Sequence, residues 1–123
     1  MNTLDKVSHA AERKAMEVAI VHIVKGLDKD RTGEYLKLID LAEKFYGKGF
    51  SKENYDAARI AVQDPNNKWV KYINSVIDDA NPEFIKKTAL NLGYEAFFRG
   101  TKTIRENRKK YSCNIPWLIL FDP

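Results

Sequence analysis

Hydrophobic and polar positions along this chain alternate at helical spacing from near the start to about residue 111, with glycine and proline as punctuation. Between Leu4 and Lys25, Val7, Ala11, Ala15, Val18, Ala19 and His22 recur at steps of three and four, predicting a helix with Gly26 as its C-terminal cap. Its last part, from Val18 to Val24, is apolar nearly all round, as expected of a helix at the centre of the core. A second helix is expected through Tyr35, Leu38, Ile39, Ala42, Phe45 and Tyr46, stopped by Gly47 and Gly49. Ser51 can cap a third, carrying Tyr55, Ala58, Ala61 and Val62.

Asp64-Pro65 and Asn81-Pro82 each pair a capping side chain with a proline suited to the first helical position, and both read as helix starts. The first opens a helix with Trp69, Val70, Ile73, Val76 and Ile77 on one side; the second opens one with Ile85, Thr88, Ala89, Leu92 and Ala96. Gly93 and Gly100 weaken the latter, so Thr101 to Tyr111 is expected as a separate short helix. Beyond it the character changes. Ser112 to Pro116 reads as a loop, and Trp117, Leu118, Ile119, Leu120 and Phe121 form an apolar run with the length of a buried strand. The expected fold is all-α, a single bundle of about five to six helices with a short apolar, strand-like C-terminal tail.

The 123 residues amount to about one domain. An eight-stranded α/β barrel needs about 200 residues or more, so a complete one is excluded. With 44% hydrophobic and 31% charged residues the chain can build a core without staples. The lone cysteine, Cys113, cannot close an internal disulfide, and a reducing, cytoplasmic setting is expected. No apolar stretch approaches the roughly 20 residues of a membrane span, so no membrane partner is expected.

The net charge of +4 changes the picture only through its distribution. Arg99, Lys102, Arg105, Arg108, Lys109 and Lys110 against one anion, Glu106, make 99–110 a +5 segment and leave the rest at −1. This segment is a possible interaction surface. Read plainly it is a solvated or interdomain helix; the alternative is a small helical nucleic-acid-binding or regulatory protein that contacts phosphates there.

Other chemistry is sparse. Asp28 to Gly33 resembles the opening of a calcium loop, but the twelfth position, where a bidentate glutamate belongs, is Ile39, and the segment reads as a turn between helices. His9 and His22 lie thirteen apart without a ligand-spaced carboxylate or thiolate; His22 reads as a core histidine and His9 as a surface one. The aromatics Phe45, Tyr46, Trp69, Phe84, Phe97 and Phe98 read as packing residues. No catalytic, cofactor-binding or metal-ligating residue is assigned, and an enzyme acting alone is the least favoured class.

The stretch Tyr111-Ser112-Cys113-Asn114-Ile115-Pro116-Trp117-Leu118-Ile119-Leu120-Phe121-Asp122-Pro123 resembles the lead-in to the core of bacterial radical S-adenosylmethionine (radical SAM) iron–sulfur proteins. The resemblance is specific over these thirteen residues and general over the helices. It implies that 1–111 is a helical N-terminal accessory domain and 112–123 a linker plus the first strand of a core lacking from this sequence. It implies a parent that is an oxidoreductase-like enzyme using a 4Fe–4S cluster and S-adenosylmethionine, with a Cys-x-x-x-Cys-x-x-Cys motif to follow. Cys113 precedes the strand and takes no ligand role, so this chain alone carries no cofactor. The expected partners are the parent's own core and a peptide or protein substrate, with self-association through 115–123 as a further expectation in the isolated chain.

Overall fold

The computed structural model describes residues 2–46 and 49–116. Among them the chain is all-helical. Helix α1 is Thr3–Gly26, α2 Arg31–Tyr46, α3 Lys52–Gln63, α4 Lys68–Asp79 and α5 Pro82–Thr88; a π-helix, Ala89–Gly100, then leads into α6, Thr101–Tyr111. Thr88 and Thr101, at the two joints, keep right-handed helical backbone, so the last three elements form one continuous rod. The apolar run Trp117 to Phe121, expected as a strand, lies outside the described residues, as does the Gly47 stop.

Caps explain most of the boundaries. Asn2 accepts from the Leu4 amide while Asp5 accepts from the Asn2 amide, a reciprocal box that starts α1. The Asp30 carboxylate accepts from the Gly33 amide at 3.0 Å and starts α2, so the calcium-like segment is the helix-connecting turn. Asn81 accepts from Phe84 at 3.1 Å with Pro82 behind it, the start expected for α5. The matching expectation for Asp64-Pro65 is corrected. Asn67 accepts from Trp69 and Val70 and starts α4, whereas the Asp64 amide closes α3 on Ala61 and its carboxylate takes the Asn66 amide in a tight turn. Ser51 stands at the start of α3 without a side-chain capping bond.

Gly26 is the last residue of α1 rather than a left-handed cap beyond it; Leu27 follows in right-handed conformation. The glycine matters because the buried Glu34 side chain lies where its Cβ would be.

The core is two clusters strung on α1. Met16 and Ile20 meet Leu90 and Tyr94 of the π-helix, flanked by Leu41, Phe45 and Phe98. Leu27, Tyr35 and Val70 form the second, with Val62 and Ile77 against them. Val24 touches both. The expected face of α1 is therefore displaced: Val7 and Val18 are exposed, and Met16, Ile20 and Ile23 carry the burial. The apolar row after Asn81 is displaced too, because π bonds run i→i+5 and add a residue to each turn. Leu92 and Ala96 face outward while Leu90 and Tyr94 are buried.

Two ion-pair groups tie the elements together. Arg59 of α3 holds Asp40 at 2.8 Å and also Glu43, both on α2, and its guanidinium pKa is raised by those hydrogen bonds, Glu43 foremost. Arg31 reaches Asp78 of α4 at 2.7 Å, and the Tyr35 hydroxyl donates to Asn74 at 2.6 Å. Helix α4 hangs on these bonds plus Val70 and Ile77, and it leaves Trp69, Tyr72, Ile73 and Val76 exposed.

Leu90→Ala should cost about 2–5 kcal/mol and Asn81→Ala about 1 kcal/mol in urea unfolding. Trp69→Ala, by contrast, should stay within about 0.5 kcal/mol, because that ring is 75% exposed. A Trp69→Ala loss as large as that of Leu90→Ala would show that α4 packs through its other face.

Candidate functional site

The richest polar cluster lies where the first turns of α1 cross the π-helix and the start of α6. Tyr94 is the most buried large side chain, at 2% exposure. Its ring stacks on His9 with centroids 5.7 Å apart and on Phe98 at 5.6 Å. The Tyr94 oxygen lies 3.0 Å from His9 Nδ1 and 3.4 Å from the His9 carbonyl oxygen, so its proton can serve the carbonyl while the oxygen accepts from Nδ1–H. Burial holds the Tyr94 phenol above the usual tyrosine range, and the neighbouring Glu12 and Glu95 carboxylates push the same way.

Glu95, next along the π-helix, is the ionic joint of the cluster. It accepts from Arg13 Nε of α1 at 2.8 Å, lies 3.5 Å from the Arg99 guanidinium and 3.8 Å from His9 Nε2. The assignment of the two histidines is thus reversed from expectation: His9 is the half-buried, bonded one and His22 is exposed. The reason is helix phase: His9 lies two turns before Met16 on the face of α1 that meets the π-helix, whereas His22, two residues past Ile20, points nearly the opposite way.

Beside this cluster is a cleft of about 300 Å³ between α1 and α6, with Ser8, Glu12 and Asp5 on one wall and Arg99, Lys102 and Glu106 on the other. Across Phe98, Lys102 and Glu106 a second groove of about 310 Å³ opens toward α2, where Phe45 meets Phe98 edge to face at 6.3 Å. Both hollows touch the basic segment, but its six cations do not act as one patch. Arg99 belongs to the Glu95 joint. Lys102 borders both hollows; Arg105 and Lys109 border the groove alone. Arg108 points to Asn114, donating at 2.8 Å, and Lys110 lies 5.0 Å from the Tyr111 ring centroid. A run of neighbouring cations on a helix is fanned around the axis, about 100° per residue, which separates what the sequence places side by side.

Phe45 and Phe98 pack as expected, whereas Trp69, Phe84 and Phe97 are exposed. Among the described residues no three metal-ligating side chains converge. Cys113 is free and exposed. What the arrangement can do chemically is bind: it offers polar walls, an aromatic floor and cations that stand at a rim.

Comparison with family models, with curated proteins and with solved structures finds no match to this chain.

The raised phenols give a test. Tyr35 and Tyr94 both titrate above the ordinary value of about 10, chiefly through burial. Their contribution to stability is complete below the unfolded-chain pKa and is lost as pH rises through the folded one, so the urea midpoint should fall above about pH 10. Tyr94→Phe should flatten that alkaline fall; an unchanged slope would show that Tyr94 ionises in the folded protein as freely as in water.

Proposed function

We propose that this chain is the noncatalytic helical accessory domain of a radical SAM iron–sulfur enzyme, where it covers one side of the core or positions a peptide or protein substrate. The observation that carries the reading is the stretch from Tyr111 to Pro123, with its Cys113-Asn114-Ile115-Pro116-Trp117 lead-in. The geometry around that stretch supports it. Helix α6 stops at Tyr111 because Ser112 takes left-handed backbone, φ 52°, and the chain leaves the helices through the exposed Cys113 and Asn114. A segment that departs in this way suits a connection between two folded units.

The covering role is supported by the outer side of α4. Trp69, Tyr72, Ile73 and Val76 recur at steps of three, one and three, which lines them along one face, and all four are exposed. Such a stripe suits contact with another folded surface.

The residues present do not fit the implied cluster. A 4Fe–4S cluster is held by several thiolates, and Cys113 is the only cysteine in the sequence. No step of any reaction is therefore assigned to these residues.

The test is to read and express the gene beyond codon 123. Three cysteines at Cys-x-x-x-Cys-x-x-Cys spacing within a few codons, and an oxygen-sensitive iron–sulfur absorbance in the longer protein reconstituted with iron and sulfide, are expected. A stop codon directly after Pro123 would overturn the reading. Removal of 1–111 from the longer protein should leave reductive cleavage of S-adenosylmethionine in place while lowering turnover of its substrate.

A further inference from the structure

The groove between α2 and α6 has an unusual composition for a surface hollow. Its floor is apolar, made by Phe45 and Phe98, while its rim carries Lys102, Arg105 and Lys109. These cations recur at steps of three and four along one side of α6, spanning about 10 Å. That is the length of about three residues of extended peptide. Among the described residues no carboxylate forms an ion pair with any of the three, whereas Arg13, Arg31 and Arg59 are all held in such pairs.

From this we infer that the groove is a docking site for an acidic peptide segment, with one large aliphatic or aromatic side chain seated on Phe45 and Phe98 and carboxylates along the cationic rim. The inference names the substrate class for the positioning role proposed above, and rests on that reading. The groove's volume, about 310 Å³, is at the lower end for ligand pockets and suits one such side chain rather than a large ligand. Charge complementarity selects the flanking residues: the rim is net positive even with Glu106 in it.

The same cations would also attract phosphates, but the floor favours a peptide. Binding of a single strand of nucleic acid relies on ring faces on which bases stack. Phe98 has Tyr94 stacked on it at 5.6 Å and Phe45 in edge contact at 6.3 Å. Both rings are thus engaged in packing within the fold, and the hollow beside them suits one side chain inserted end-on better than a run of stacked bases.

The probe is a short fluorescein-labelled peptide of glutamates around one central leucine, titrated with the full chain and followed by anisotropy. Saturable binding that weakens as salt is raised is expected. The triple variant Lys102→Gln, Arg105→Gln, Lys109→Gln, checked for unchanged helicity by circular dichroism, should bind about tenfold more weakly, since each partly exposed ion pair contributes only a modest share. Replacing the peptide's leucine with alanine, which leaves the protein untouched, should also cost about tenfold. Absence of saturable binding at low salt would overturn the inference, as would equal binding by the triple variant or by the leucine-free peptide. Oligothymidylate bound as tightly as the peptide would overturn it in favour of nucleic acid. A dimer in sizing that the triple variant abolishes would assign the groove to a second copy of the chain. None of these results depends on the cysteines beyond codon 123, so a failed groove and a failed parent reading are told apart.

Discussion

The structure turns on the packing of one tyrosine. Tyr94 fills the crossing of α1 and the π-helix, and each of its neighbours is held there by a different force: Phe98 by ring stacking, His9 by stacking and a hydrogen bond, Met16, Ile20 and Leu90 by burial. Glu95 adds an ionic joint beside it. Because α6 continues the same rod, the position of that ring also sets where both surface hollows open. Loss of the crossing would leave α1 tied to the rest mainly through its contacts with α2 and α5.

Elsewhere the burial is thin. Met16, Ile20, Leu90 and Tyr94 at one end and Leu27, Tyr35 and Val70 at the other are modest clusters, and ion pairs add to a few apolar contacts in holding α3 and α4 in place. With clusters this small the fold depends on its caps and ion pairs more than a well-filled bundle does, and it leaves large apolar side chains such as Trp69 and Phe84 in water.

The legible part of the sequence was the part governed by local rules. The helices, the Asn81-Pro82 start and the loop at Ser112 follow from spacing and capping, each decided within a few residues. Asp64-Pro65 misled because Asn67, three residues on, competes for the same role and its carboxamide reaches two amides at once. The π-helix misled for a deeper reason. Counting at steps of three and four assumes α bonds and puts Leu92 and Ala96 on the core side, although the i→i+5 register puts Leu90 and Tyr94 there. Gly93 and Gly100 were the only local hint. The pairing of His9 with Tyr94 joins residues 85 apart, and the pairing of Phe45 with Phe98 is likewise long-range; a single sequence carries no local mark of either. The six cations were visible as a run, but their division among Glu95, the groove rim and Asn114 depends on helix phase.

That phase is where the π-helix has its largest consequence. It works as a gear between two halves of one rod: upstream, α5 follows its own cap at Asn81, and downstream, α6 presents Lys102, Arg105 and Lys109 beside Phe45. A residue in α bonding turns by about 100° rather than the roughly 80° of π bonding, so returning all 12 residues to α bonding would rotate α6 by more than half a turn about its axis, carrying the cationic rim away from the aromatic floor while leaving every side chain unchanged. The groove is therefore a property of how the rod is wound, and a single inserted or deleted residue between Ala89 and Gly100 would dismantle it as completely as removing its cations.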